Sequence, residues 1–167
     1  LSVELGDQKE QEVTVVFTDI RSYTTIAEQM TPSENFKFIK QYAEKMGPAI
    51  VGNGGFINQY LGDGIMAIFQ DSPDGALKAC IEMQAAVREF NQDPNGVDPI
   101  RVGMGMHTGM LVMGVIGDQT RQDAALISDT VNTAARLESL TKEYGVEIIL
   151  SNSTLNKLSD KSLFDFK

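Results

Sequence analysis

Val15-Val16-Phe17-Thr18-Asp19-Ile20-Arg21-Ser22 runs from an apolar segment straight into a carboxylate. Residues 12–19 alternate and then turn continuously apolar, the pattern of a central strand. A carboxylate at the end of such a strand is not needed for packing. Locally, Asp19 fits two roles equally well. It can cap a helix entered through Ile20-Arg21-Ser22-Tyr23-Thr24. Or it can hold a divalent cation beside the free amides of that helix start, where the dipole favours an anion.

A second acid stands in Tyr60-Leu61-Gly62-Asp63-Gly64, between strand-like runs at 56–60 and 65–69. Asp-Gly is a favoured pair at a hairpin tip, so Asp63 taken alone reads as a turn residue. On adjacent strands of one sheet, Asp19 and Asp63 would form an acidic pair. Mg²⁺ usually takes one or two carboxylates plus substrate phosphates, so such a pair is the minimum for work on a nucleoside triphosphate.

The remaining punctuation is clear. Thr31-Pro32-Ser33-Glu34 combines a Thr cap, Pro at the first helical position and Glu at the third. Phe36, Ile39, Ala43, Met46 and Ile50 then predict a buried stripe, with a kink at Gly47-Pro48 and an end at Gly52-Asn53-Gly54-Gly55. Ser72-Pro73-Asp74 starts the next helix, whose stripe is Ala76, Cys80, Met83, Val87 and Phe90. Residues 91–99 read as a loop. Residues 100–107 and 110–116 read as two strands turning at Thr108-Gly109. A helix over 129–144, a strand over 146–150 and a short helix after Ser151-Asn152-Ser153 complete the chain. The mixture predicts an α+β fold, with helices covering a largely antiparallel sheet.

Composition narrows the function. The 167 residues suit one domain with a full core. A net charge of −9 argues against a nucleic-acid binder, which would show a basic face. It leaves nucleotide substrates open, because bound cations supply local positive charge. A single cysteine, Cys80, forms no internal disulfide and fits a reducing, cytoplasmic setting. No apolar run approaches the ~20 residues that span a bilayer, so membrane contact by this segment is not expected. The chain begins at Leu1, and residues 1–11 are polar. They are expected to be a linker, with 12–167 as a domain cut from a longer protein whose sensor or membrane anchor lies upstream.

Ser128-Asp129-Thr130-Val131-Asn132-Thr133-Ala134-Ala135-Arg136-Leu137-Glu138 places Asn132 and Arg136 four apart, on one helix face. Arg suits developing phosphate charge through its planar, always protonated fork. By itself the segment also fits an ordinary surface helix with an Arg–Glu pair. His107, the only histidine, ends a strand and fits a hydrogen-bonding role better than a catalytic one. With no Cys or His cluster, a zinc site is not expected. The glycines between 103 and 117 match no dinucleotide or Walker fingerprint.

Four of these segments together resemble the class III nucleotidyl cyclases, the adenylate/guanylate cyclase catalytic domain. They are Val16-Phe17-Thr18-Asp19-Ile20, Leu61-Gly62-Asp63-Gly64, Gly105-Met106-His107-Thr108-Gly109 and the 129–138 helix, in family order over about residues 12–158. The style is similar to bacterial adenylate cyclases found with sensor domains. The resemblance implies a ferredoxin-like core working as a head-to-tail homodimer with its sites at the interface. One protomer would supply Asp19, Asp63 and the Ile20 carbonyl for two Mg²⁺ or Mn²⁺ ions per site. The other would supply Asn132 to orient the ribose and Arg136 to stabilise the transition state. Phe17, Thr18, Arg21, Ser22, Tyr23, Thr24, Gln59 and Ala125 would line the substrate. The implied reaction is conversion of ATP to cyclic AMP and pyrophosphate. GTP is the alternative substrate, and a non-catalytic nucleotide-sensing or dimerisation module is the alternative class.

The chain departs from the family pattern at the base. Adenylate cyclases usually carry Lys four residues before the second metal Asp, and Asp or Thr seven before the Asn; guanylate cyclases carry Glu and Cys. Here those positions are Gln59 and Ala125. Gln can pair with either purine edge and Ala with neither, which predicts relaxed base discrimination or lower activity. Met110 stands where some members have an Arg near the phosphates. The family also implies further C-terminal strands, with a phosphate-binding Lys, beyond Lys167.

Overall fold

In chain order the elements are β1 (Gln8–Ile20), α1 (Tyr23–Glu28), α2 (Pro32–Gly52), β2 (Gly55–Leu61), β3 (Gly64–Phe69), α3 (Pro73–Gln92), β4 (Val102–Gly114), α4 (Asp129–Tyr144), β5 (Ile148–Leu150) and α5 (Asn152–Asn156), with a 3-10 turn at Lys161–Leu163. The computed structural model describes residues 8–92, 98–114 and 128–167. Val13 and Val15 sit on one face of β1, Val16 and Ile20 on the other, and all four are buried. That double burial is why the run from 13 to 18 carries so few polar side chains. β1 starts at Gln8, so residues 8–11 belong to the sheet and not to the expected linker.

The strand order is β2-β3-β1-β4-β5. β1 pairs antiparallel with β3 and β4, β2 with β3, while β5 runs parallel to β4. The β1–α2–β2 connection therefore steps over β3, and β3–α3–β4 steps over β1. These are the two interlocked crossovers of a ferredoxin-like sheet, as expected.

β4 corrects the two strands expected at 100–107 and 110–116. It is one strand paired with β1 from Ile20↔Val102 to Gln8↔Gly114, with no turn at Thr108-Gly109. Residues 115 and 116 lie outside the described residues. Thr108 instead bonds Thr14 across the ladder (Oγ1···Oγ1 2.8 Å). Gly109 is needed for a close approach: a Cβ there would come within 2.7 Å of Thr130 Oγ1 on α4. A glycine reads as a turn signal in sequence, but here it marks helix-on-strand packing.

α2 and α3 cover one face of the sheet. The α2 stripe is Phe38, Tyr42, Met46, Ala49 and Ile50; Met46 and Ile50 are buried as expected and Ile39 packs against the core, but Phe36 does not belong to it. Phe36 is 72% exposed. At 100° per residue, position 36 faces away from position 38, and the 38-42-46-50 spacing defines the buried side. The Thr31–Glu34 capping box forms, and the helix continues through Pro48 to Gly52. The α3 stripe is buried as expected. Phe90 meets Phe38 and Tyr42 edge-on, at centroid distances of 5.6 and 6.4 Å. Burial pushes the Cys80 thiol well up, so it packs as an inert apolar group. α4 covers part of the opposite face, over Val13, Val15, Met66, Ile68 and Leu111. α5 docks through Thr154, whose hydroxyl bonds that of Thr108 at 2.9 Å.

Asp74, in the first turn of α3, ties down the C-terminal segment. Its carboxylate accepts from Ser159 N–H at 3.0 Å, from Ser159 Oγ at 2.9 Å and from Ser72 Oγ at 2.6 Å. Burial is the largest single influence and raises its carboxyl, but the hydrogen bonds together outweigh it and hold the group below its usual 3.8. A depressed folded pKa adds stability above pH ~4 and loses it as pH falls further. Asp74→Ala should therefore lower Tm at pH 7 by about 2–4 °C, the shift expected for ~1 kcal/mol. Thermal melts at pH 7 and pH 3 check this; the gap between variant and parent should shrink at pH 3. A gap that widens on acidification refutes the clamp.

Candidate active site

β1 and the β2–β3 hairpin end side by side because Thr18 pairs with Ile65. Leu61 pairs with Gly64, so the hairpin tip is Gly62-Asp63, with Gly62 at φ 64. The expected Asp-Gly tip is thus shifted by one residue. Glycine supplies the positive φ that hairpin turns demand, and Asp63 is left pointing back at β1. Gly64 has a separate duty: a Cβ there would lie 2.9 Å from Thr18 O and 3.8 Å from Asp19 Oδ1. Only glycine lets the tip close onto the end of β1.

The result is a close carboxylate pair. Ile20 N–H donates to Asp63 Oδ2 at 3.0 Å, which fixes Asp63 against the strand end. Asp19 is pushed up to about 8 by burial first, then by a hydrogen bond to Asp63, that carboxyl's charge and the charge of Glu138. Lys142 offsets this only in part. Two carboxyls this close cannot both ionise cheaply, so Asp19 keeps its proton unless a cation replaces it. Hard oxygen donors holding a displaceable proton fit Mg²⁺ or Mn²⁺, and the Ile20 backbone lies at the same place. Among the described residues no group of three or more His, Cys, Asp or Glu is arranged to hold a metal ion by itself. A pair suits ions whose remaining ligands come from substrate phosphates and water.

Asp19 is not a helix cap. α1 has Ser22 at its N-cap, in the left-handed region at φ 57, with no side-chain cap bond. Beside the pair is a cleft of about 190 Å³ lined by Phe17, Asp19, Leu61, Gly64, Ala135 and Glu138 among others. Ligand pockets commonly hold about 300–1,000 Å³, so this is part of a site.

The other expected site residues divide. Asn132 and Arg136 are exposed on α4, while the α4 residues in the cleft are Ala135, Glu138 and Ser139. Neither Asn132 nor Arg136 lines the cleft beside its own chain's carboxylates. Gln59 shares a sheet row with Met66 and Phe17, because a bulge at Asn58 shifts the β2 register between Ile57 and Gln59. Without that extra residue Gln59 would oppose Ile65 on the α2/α3 side. Its Oε1 is buried and has no hydrogen-bond partner among the described residues. Thr18 is buried, and its hydroxyl faces that of Tyr42. Ser22 and Thr24 are exposed, whereas Tyr23 packs on the core and donates its hydroxyl to Asn35 Oδ1. Ala125 lies outside the described residues.

Arg21 does something the sequence did not suggest. Its backbone N–H donates to Arg101 O at 2.8 Å, and its guanidinium donates to the Thr141 carbonyl at 3.1 Å and to that of Val146. It binds the end of α4, not the cleft. Glu138 was also missed. Val131, Ala134, Glu138 and Thr141 form the buried side of α4. An acid on an apolar stripe was the available signal, since Glu is seldom buried unless paired. Burial pushes its carboxyl up, with Lys142 and Ser139 opposing and the Asp63 charge adding to the rise. His107 bonds Ser151 Oγ at 2.7 Å, the hydrogen-bonding role expected of it.

A ferredoxin-like sheet with a close carboxylate pair at the end of its central strand marks the class. The chain belongs to the adenylate and guanylate cyclase catalytic domain family, whose pattern matches residues 5–167. It is 42% identical to an adenylate cyclase of Anabaena cylindrica over 99% of this chain, and 31% identical to adenylate cyclase 1 of Rhizobium meliloti over 92%. It spans only 34% and 24% of those two proteins. Among solved structures it resembles the guanylyl cyclase Cya2, with 33% identity, TM-score 0.79, and coverage of 95% of this chain and 82% of that one. The adenylyl cyclase CyaB from P. aeruginosa superposes with TM-score 0.75 at 25% identity, covering 90% of this chain and 81% of that one.

If the pair holds the cations, millimolar Mn²⁺ should raise the Tm of the protein, and Asp19→Asn or Asp63→Asn should abolish most of that rise. Ligand at 100 times its Kd stabilises by about 2.7 kcal/mol, well within reach of a melting assay. Equal Mn²⁺ stabilisation of parent and both variants would place the ion elsewhere.

Proposed function

We propose that this domain is an adenylate cyclase, converting ATP to 3′,5′-cyclic AMP and pyrophosphate in intracellular signalling. The observation that carries the reading is the Asp19–Asp63 pair, brought together by Gly64 at the end of the central strand. Kinship with adenylate cyclases over nearly the whole chain supports it.

Asp19 and Asp63, with the Ile20 carbonyl, hold two divalent cations, Mg²⁺ or Mn²⁺. Bound there, such ions neutralise triphosphate charge and favour ionisation of the ribose 3′-hydroxyl. Asn132 holds the ribose. Arg136 meets the charge that builds as the 3′-oxygen bonds to the α-phosphorus and the bond to pyrophosphate breaks in line. No histidine base is required. Asn132 and Arg136 come from a second copy in a head-to-tail homodimer. Their exposure on α4, away from the cleft of their own chain, supports a shared site. The part-sized cleft supports it too. Substrate lies along Phe17, Thr18 and Ser22–Thr24, with Gln59 and Ala125 toward the base. A regulatory region upstream controls the domain in the full-length protein.

The test is product formation from ATP or GTP with Mn²⁺. Arg136→Ala should lower kcat by about 10²–10³, the scale seen on removing an oxyanion-hole donor. Asp19→Ala should be inactive. Mixing the two variants should restore activity, because one site of each mixed dimer is complete. The reading fails if dimeric parent protein makes no cyclic nucleotide from either substrate.

The orphaned Gln59 Oε1 needs a donor, and the adenine amino group provides one, as do the guanine N–H groups. Gln59→Lys, the usual adenylate cyclase residue, should raise the ATP-over-GTP ratio of kcat/KM by about 10-fold, and Gln59→Glu should lower it. Ratios unmoved by both changes would take Gln59 out of base reading.

A further inference from the structure

α4 is seated unusually close to β4. A Cβ at Gly105 would lie 2.2 Å from Glu138 N, and one at Gly103 would lie 2.3 Å from Thr141 Oγ1. The helix closes at Gly145, φ 64, where Val146 N–H donates back to Thr141 O at 3.1 Å. Such an end leaves carbonyls at the negative pole of the helix, which attract a cation. Arg21 is that cation. Its guanidinium bonds the Thr141 and Val146 carbonyls, while its own N–H is fixed to Arg101 O. Burial raises the Glu138 carboxyl, and the Arg21 charge opposes that rise only after Lys142 and Ser139. Arg21 follows Ile20 directly, so the residue next to the metal half-site is bolted to the helix that carries Asn132 and Arg136. Five residues of helix, about 7.5 Å, separate Arg136 from Thr141.

We propose that Arg21 is a positioning residue that couples the two active sites of the dimer. By locking α4 to the end of β1 in the same chain, it sets Asn132 and Arg136, which serve one site, relative to Asp19 and Asp63, which serve the other. This rests on the shared-site reading. Arg21 touches no substrate. Both bonds leave from the one nitrogen Nη2, so a lysine ammonium, which carries three donors on one atom, can keep part of them.

The experiment uses mixed dimers of an Asp19→Ala chain and an Arg136→Ala chain. Each such dimer has one complete site, with carboxylates from the Arg136→Ala chain and α4 from the Asp19→Ala chain. Arg21→Ala is placed in one chain or the other. Either placement should lower kcat by about 10-fold or more, as expected when a catalytic group is misplaced by a fraction of an ångström, with the KM for ATP nearly unchanged. Arg21→Lys should restore part of the loss. If only the carboxylate-supplying chain is sensitive and KM rises, Arg21 contacts substrate and the proposal is overturned. No effect from either placement overturns it as well. Hydrogen exchange on the full chain bearing Arg21→Ala or Arg21→Lys judges the clamp apart from catalysis: the amides of Gly145 and Val146 should lose protection, and unchanged protection refutes it. An inactive parent mixture refutes the shared site and the coupling with it, while the exchange result still decides whether the clamp exists.

Discussion

The antiparallel pairing of β1 with β4, unbroken from Ile20↔Val102 to Gln8↔Gly114, is the constraint on which the rest depends. It places β1 in the middle of the sheet, buries both its faces and fixes where it ends. Because β3 pairs on the other side, the β2–β3 tip arrives at that same end. Asp19 and the Ile20 backbone therefore stand on a hydrogen-bonded strand, with Asp63 in the two-residue tip beside them and Arg21 in the turn that follows directly. Sites on such elements keep their geometry better than sites on loops.

Two kinds of glycine finish the arrangement. Gly64 lets the hairpin tip approach β1, and Gly103, Gly105 and Gly109 let α4 settle on β4. Neither group serves backbone flexibility. Each removes a Cβ that would meet a neighbour at less than 3 Å. The closeness obtained at Gly64 raises Asp19 to about 8, a strained electrostatic state that bound cations relieve. The closeness at 103–109 brings Glu138 into the cleft, so a third carboxylate adds to the negative field without joining the pair as a metal ligand.

Much of this was legible beforehand. The α3 stripe, the Thr31 capping box and the hairpin followed from local periodicity and cap chemistry, which act over a few residues. The errors share one cause. Thr108-Gly109 read as a turn and Phe36 read as core, and the bonds of Arg21 to α4 had no signal at all, because each depends on what packs there from far away. Thr130 fills the space beside Gly109, the other side of α2 meets α3, and Arg21 finds carbonyls more than a hundred residues later.

By itself the sequence determined the elements, the two acids at strand ends and the Asn132/Arg136 helix face, since alternation, helical spacing and capping are local properties of the chain. Tertiary structure decided that Asp63 turns onto Ile20, that Asn58 bulges and swings Gln59 to the α4 side, and that Arg21 bonds the carbonyls at the end of α4. Those outcomes depend on register between strands and on contact between distant residues. A shift of one residue reverses the face a side chain presents, and no local pattern encodes which register wins.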